Sequence, residues 1–374
     1  MKLLNTLYLV CTVIVLVTCT YSKTMAVKIQ KVPEKLITIG LLITDNKLLE
    51  ARYAAEMAID EANSNNESEG YFFQLIIRSM EGPWGTGSKE AVDLVFNEKV
   101  WALLGSHDGR NAHLVEQVIA KTQIPFVSAW AGDPTLSQAF VPWYFSCVPN
   151  NNQQASILIN EIYYHQKLAK VITLSDKEYD SNVALKSFLG ELKIQNLARP
   201  IQLSYDNANF DCDLLVNQIK NADCDGLVLF GQPVSSLKII EMMRQNKMKQ
   251  TVFGALSIIG ENPFNHFYLE DYEGVVFINS GNWLSKKGIT FSKNFENKYG
   301  WTPGAVAAYA YDGANLIIEA IKKSNFDRKK IKQSMLGIEY NGVTGAVTFD
   351  ENGNRIGSNG LVVIKKGTPE TIKN

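Results

Sequence analysis

The sequence predicts an α/β protein of two doubly wound lobes, and three observations carry that expectation. Short apolar runs of strand length alternate with stretches whose apolar residues recur at helical spacing. After the polar break Pro149-Asn150-Asn151-Asn152 the alternation begins again. Near the end, the helical stretches Ile289–Tyr299, Ala305–Lys322 and Arg328–Leu336 follow one another without a strand between them, so they need a sheet elsewhere to cover. A chain of 374 residues, 46% of them hydrophobic, is long enough for two cores, since single cores stop growing beyond about 250–300 residues.

In order, Ile37–Ile43 is an apolar strand, followed by a helix with Ala54, Met57, Ala58 and Ala62 on one stripe. Phe72–Ile77 is the next strand, Ser79–Gly85 its exit turn with Trp84, and Lys89–Phe96 a helix. The segment from Val100 to Gly132 is a compact strand–helix–strand unit. In it, Val100–Leu104 is a buried strand, Gly105–Arg110 a turn, Asn111–Lys121 a helix with Ala112, Val115, Val118 and Ile119 inward, and Ile124–Ser128 a second strand. Trp143–Cys147 is a short strand that ends the first series. The second series runs helix Gln153–His165, strand Lys170–Leu174, helix Val183–Leu192 and strand Ile201–Tyr205. It continues with helix Leu214–Ala222, strand Gly226–Phe230, helix Ser236–Gln245 and strands Thr251–Gly254 and Gly274–Ile278. Gly345–Phe349 and Leu361–Ile364 form two final strands, separated by the turn Asp350–Gly353. Strict alternation of strand and helix implies parallel sheets.

Net charge is −1, with Lys and Arg spread along the chain; the basic footprint of a nucleic-acid binder is missing, and no nucleic acid is expected as a partner. Met1-Lys2 precedes a mostly apolar run to Cys19, the pattern of an export signal and too short for a membrane span, though an uncleaved N-terminal anchor is the alternative. Two cleavage readings stand side by side. Leu16-Val17-Thr18-Cys19 loosely resembles a lipoprotein box that would lipidate Cys19, and Thr24-Met25-Ala26 fits ordinary cleavage after Ala26. Of the remaining cysteines, Cys212 and Cys224 bracket a helix whose ends lie roughly 15–18 Å apart. A disulfide needs Cα atoms within about 7 Å, so they and Cys147 are expected as buried thiols. The four His and the Cys show no metal-site spacing.

Several strings, AAEMAIDEAN at Ala54–Asn63, IPFVSAWAGDPTLS at Ile124–Ser137, AYAYDGANLIIEAIKKS at Ala308–Ser324 and GVTGAVTFDENGN at Gly342–Asn354, resemble the type I periplasmic solute-binding proteins, the branched-chain amino acid (Leu/Ile/Val-binding) family of ABC transporter substrate-binding proteins. The resemblance covers about residues 36–365. It implies two Rossmann-like lobes joined by a three-segment hinge, with the ligand held in the cleft between them. It puts 36–147 and 279–350 in lobe 1, 148–278 and 355–374 in lobe 2, and crossings near Cys147–Asn150, Asn279–Asn282 and Asp350–Ile356. It also implies an exported, periplasmic or cell-envelope location and ABC transporter membrane subunits as partners.

Ligands of open α/β sheets sit at the carboxyl ends of strands, so the turns Ser106–Arg110 and Ala129–Asp133 are the first candidates. In the first, His107, Asp108, Gly109 and Arg110 stand together. The resemblance puts Gly109 where relatives use a Ser against a ligand carboxylate, leaving backbone donors at a helix start. In the second, Trp130, Ala131 and Gly132 replace a small residue and a Thr. Tyr179 matches the aromatic residue that relatives pack on the ligand from lobe 2. Gln232 follows a strand as a polar contact, and Trp84 is a candidate at the cleft edge. The strand ending at Gly254 is followed by Ala255-Leu256-Ser257, where relatives carry an acid for the ligand ammonium; Ser257 is the candidate there, and Glu261 reaches the position if the loop folds back. An aromatic-lined pocket favours a solute that is amino-acid-like, or aromatic and carboxylate-bearing. There is no GxSxG, no P-loop and no GxGxxG after the first strand, so a binding protein without enzymatic activity or cofactor is expected. The alternative is a ligand sensor of the same fold. As the chain ends soon after its last strand, such a sensor would act on a separate partner.

Overall fold

The computed structural model describes residues 35–64, 70–83, 85–261, 269–279, 281, 285–357 and 360–372. The N-terminal leader with Cys19 and Ala26, Trp84, Trp283 and part of the second crossing lie outside the described residues.

The first lobe follows the alternation of apolar runs: β1 (Lys35–Ile43), α1 (Glu50–Ser64), β2 (Tyr71–Ser79), α2 (Thr86–Phe96), β3 (Ala102–Ser106), α3 (Gly109–Thr122), β4 (Phe126–Ser128), α4 (Pro134–Gln138) and β5 (Tyr144–Ser146). The sheet order is β2-β1-β3-β4-β5, with β1–β3, β3–β4 and β4–β5 parallel. Successive side chains on a strand point to opposite faces, so Leu104 and Val127 join one apolar cluster while Leu103 and Phe126 join the other. Both faces are therefore covered.

The second lobe repeats the plan: α5 (Asn151–Ile159, continued by a π-helical turn Asn160–His165), β6 (Val171–Asp176), α6 (Tyr179–Ile194), β7 (Ile201–Tyr205), α7 (Cys212–Asn221), β8 (Gly226–Phe230), α8 (Pro233–Gln245), β9 (Thr251–Gly254) and β10 (Val275–Ile278). Its strands run β7-β6-β8-β9-β10, the order of the first lobe, and two antiparallel strands extend the edge to seven. After β10, the helices α9 (Lys286–Tyr299), α10 (Ala305–Lys323) and α11 (Ile331–Leu336) return, and α10 packs along α1 and over β3 and β4. Gly313 of α10 permits that approach, since a Cβ there would lie 2.7 Å from Leu104 Cδ1. The remaining strands are β11 (Tyr340–Gly342), β12 (Gly345–Phe349), β13 (Arg355–Ile356), β14 (Leu361–Lys365) and β15 (Thr368–Thr371).

Four elements escape the sequence reading. β11 and β13 are three- and two-residue pieces of a small ribbon with β12, too short for any periodicity. β15 is an edge strand of Thr, Pro and Glu with exposed ends, so it has no apolar alternation. α4 is five residues long, although Asp133 caps it and Pro134 starts it. Trp301, in the connector between α9 and α10, packs against Tyr53, Phe295 and Tyr299. Cys147, Cys212 and Cys224 are free and buried.

Two of the crossing segments lie side by side. Ser146 and Asn354 form a parallel bridge, and Ser146 N donates to Gly353 O at 2.7 Å. Arg355, 2% exposed, donates to Cys147 O (2.9 Å), Thr344 Oγ1 (3.0 Å), Thr344 O (2.8 Å) and Ala346 O (3.0 Å). Buried Asp312 of α10 accepts from Val343 N and Thr344 N at 2.9 and 2.8 Å. Gly281, with φ +80°, presses on the same Thr344 backbone, where a Cβ would meet the carbonyl carbon at 2.6 Å.

Candidate functional site: the cleft between the lobes

Both sheets reverse strand order beside their first strand, between β1 and β3 in one lobe and β6 and β8 in the other. A crevice opens outside the carboxyl ends at such a reversal, because the connections leave in opposite directions. The two crevices face one another. Together they enclose a cavity of about 270 Å³ lined by Thr44 and Leu48 after β1, Ser106, Asp108 and Arg110 after β3, and Trp130 after β4. Opposite stand Glu178, Tyr179 and Asp180 after β6, Asn207 after β7, Gln232 after β8 and Glu261 beyond β9; Val306 of α10 completes the wall. A wider outer chamber of about 610 Å³ shares Leu48, Glu178, Asn207, Gln232 and Glu261 and adds Ala208, Phe210, Pro233, Val234, Ser235 and Lys238.

Two carboxylates of the second lobe end on helix starts of the first. Asp180 Oδ1 accepts from Gly109 N, the first residue of α3, at 2.9 Å. Glu261 Oε1 accepts from Glu50 N, the first residue of α1, at 2.7 Å. The amides of a first helical turn have no partner within the helix, and the dipole there favours negative charge. Burial pushes the Asp180 carboxyl up to about 7, with Asp108 and Asp133 adding to the rise while the Gly109 amide and Arg110 oppose it. Burial likewise raises Glu261 to about 7, against the hydrogen bond from Glu50 and with Asp45 nearby.

Beside Asp180, the Tyr179 hydroxyl donates to Asp133 Oδ2 at 2.7 Å, while Asp133 Oδ1 accepts from Thr135 N at 2.9 Å and caps α4. His113 lies 3.4 Å from Asp133 Oδ2 and 3.0 Å from Glu116 Oε2. These two acids raise its pKa to about 9. Burial works to raise the Asp133 carboxyl, but His113, Thr135 and Tyr179 outweigh it and hold the group at about 2. Farther along, Trp130 packs on Gly260, where a Cβ would lie 2.8 Å from the indole Cζ2. The loop after β9 thus folds back onto the first lobe and delivers Glu261 to the cavity.

Of the residues singled out in the sequence, Asp108, Arg110, Trp130, Tyr179 and Gln232 line the cavity. Gly109 meets Asp180 directly, and a Cβ there would come within 3.1 Å of its Oδ1. Asp108 also caps α3 through Asn111 N at 2.8 Å. His107 points the other way. It is 1% exposed, its ring lies 6.0 Å from that of Phe126, and Nδ1 sits 3.1 Å from Asp108 O. Burial lowers its pKa, so it belongs to the interior of the first lobe. Ala131 is also buried there, beside Leu136 and Val115. Gly132 and Ser257 lie in a separate recess of about 30 Å³ with Trp130 and Asp180.

Ser106, the first residue of the candidate turn, also lines the cavity, and the residues missed were Thr44, Leu48, Glu178, Asp180, Asn207 and Val306. Applying the strand-order rule to β1 and β6 as well as β3 and β4 would have found Thr44 and Glu178. Asp180 carried no local signal, because an acid in a first helical turn is ordinary dipole chemistry.

Twin crevices closed over a shared cavity, with contacts from both lobes, define a two-lobed solute-binding fold of the type I periplasmic class. Residues 45–367 match the periplasmic binding protein family, and the chain belongs to it. Among solved structures, it is similar to the branched-chain amino acid transporter substrate-binding protein LivJ from Streptococcus pneumoniae in complex with isoleucine. That match has 21% identity and a TM-score of 0.78, covering 91% of this chain and all of the other. A solute-binding protein from R. palustris in complex with benzoate matches at 15% identity and TM-score 0.76, covering 90% and 95%. Glutamate receptor 3.7 of Arabidopsis thaliana is 23% identical over 86% of this chain and 39% of its own length; the chain spans well under half of the curated relatives it matches. Family members are binding proteins. Among the described residues no group of His, Cys, Asp or Glu has the arrangement of a metal site, and no helix is long and apolar enough to cross a membrane.

Proposed function

We propose that the chain is an exported solute-binding protein of an ABC-type uptake system, catching a small amino-acid-like or aromatic solute between two lobes and presenting it to membrane subunits. The observation that carries the reading is the cavity of about 270 Å³ walled by strand-end turns of both sheets. A ligand that touches both walls binds the closed form better than the open one, which is the differential affinity that closure requires. The lobes are taken as 36–147 with 279–350 and 148–278 with 355–374, and the hinge as the segments around Cys147–Asn150, Asn279–Asn282 and Asp350–Ile356. Trp130 and Tyr179 serve as the aromatic faces, and Asp108, Arg110 and Gln232 as polar contacts. The protein acts without chemistry on its solute, in the periplasm or cell envelope, held by lipid at Cys19 or released after Ala26; the mass of the mature N-terminus distinguishes these.

A thermal-shift screen of the exported chain against amino acids, aromatic carboxylates, amides and amines tests the reading. A true ligand raises the midpoint in proportion to the logarithm of its concentration. Turnover of that ligand in the same sample, or solute uptake by the membrane subunits without this protein, would overturn it. A sensory module is the second reading, favoured by the similarity to a plant glutamate receptor; ligand-dependent capture of a signalling partner instead of a transporter would select it.

A further inference from the structure

Two helix-start amides at the cleft are already engaged by the protein's own acids. Gly109 N, at the start of α3, donates to Asp180, and Glu50 N, at the start of α1, donates to Glu261. The same cavity is lined by four carboxylates, Asp108, Glu178, Asp180 and Glu261, against one guanidinium, Arg110. The cavity itself is established independently by its position at both strand-order reversals and by family membership. The acids decide only which charge it prefers.

We infer that the cleft anchors its solute through a protonated amine rather than a carboxylate, and favours a simple organic amine with an apolar or aromatic body over an amino acid or an organic acid. The inference rests on the binding reading above and names the class of solute. A carboxylate seeking either helix start would have to displace Asp180 or Glu261 and then lie beside it, and one held by Arg110 would still face the four acids, since like charges at short range repel in a site of low dielectric. An ammonium group instead compensates these acids and can rest against the π-faces of Trp130 and Tyr179. The apolar body of such a solute has room in the outer chamber, beside Phe210, Pro233 and Val234, where Lys238 Nζ lies over the Phe210 ring at 5.2 Å and keeps the solute's ammonium at the inner, acidic end. Burial raises both anchoring acids, and at Asp180 the pull of Arg110 does not offset it.

The test is a thermal-shift and calorimetric titration of the exported chain at pH 8 with three probes of similar size: benzylamine, benzoate and L-isoleucine. Benzylamine is expected to bind at least about tenfold more tightly than either, about 1.4 kcal/mol. Glu178→Gln, at an exposed position, and Asp180→Asn, which keeps an acceptor toward Gly109 N, should each weaken benzylamine and leave or improve benzoate. Binding of benzoate or isoleucine with benzylamine silent would overturn the choice of charge while leaving the binding reading standing. Equal binding of benzylamine by the wild type and both variants would also overturn it. Conversion of benzylamine to a product would overturn the binding reading itself.

Discussion

The proposed hinge and the cleft both withdraw charged side chains from water, and they do so in opposite ways. At the hinge, Arg355 donates to three carbonyls and a hydroxyl, and Asp312 accepts from consecutive amides. The chain supplies every one of these partners. In the cleft, Asp180 and Glu261 each take a single backbone amide across the lobe boundary and have further acids close by. Charges satisfied by the fold hold a geometry; charges left short of a counterion are suited to an outside partner.

Breaking the hinge should have the largest effect. Arg355→Leu would strand three carbonyl oxygens among buried residues, and a loss of about 3–5 kcal/mol is expected in urea unfolding. A loss below about 1 kcal/mol would mean that the network is incidental. Gly353→Ala comes next. Its φ of +76° is a left-handed conformation, and a Cβ would lie 2.0 Å from Tyr144 O. A cost of about 2–3 kcal/mol and loss of the Ser146–Asn354 pairing are expected, read by denaturation and by amide exchange at Ser146.

The cleft should respond more weakly and with a different signature. Tyr179→Phe removes the hydrogen bond to Asp133 and should lower stability by about 1–2 kcal/mol, while hinge amides keep their exchange protection. Asp180→Asn sharpens the contrast by its sign. The folded pKa of Asp180, about 7, exceeds the ordinary value of about 3.9, so the folded state holds its proton more tightly than the unfolded chain. Wild-type stability should therefore fall between pH 4 and 7 on this account, with no penalty below that window and the full penalty above it. Asp180→Asn should match wild type at pH 4 and exceed its melting temperature at pH 8; a lower melting temperature at pH 8 would refute the unfavourable placement of this charge. The smallest effect concerns His113. With its pKa raised to about 9, its contribution is complete below about 6.5 and is lost as pH rises through 9, which an NMR titration of the imidazole would follow.

Much of the fold was legible because burial on both sheet faces writes itself into composition. Ile37–Ile43, Val100–Leu104 and Gly226–Phe230 are continuous apolar runs, and the restart after Asn152 marks the second lobe. The candidate site was legible in part. Trp130 and Tyr179 stood out as large aromatics at strand ends, and Asp108 as a polar member of the turn after β3. His107 looked the same as Asp108 in sequence, yet the backbone turns it toward Phe126, and no spacing rule reports the direction of a side chain on a turn.

The sequence by itself determined the longer elements, the parallel order of the two main strand series and the duplicated plan, because these follow from local periodicity and from connections too short to choose otherwise. Tertiary structure alone decided which groups meet in the cleft. Asp180 finds Gly109 across 71 positions, and Glu261 finds Glu50 across 211. Nothing local selects such pairs. They arise only when two sheets present their strand ends to each other, and there burial turns ordinary acids into groups that titrate near neutrality.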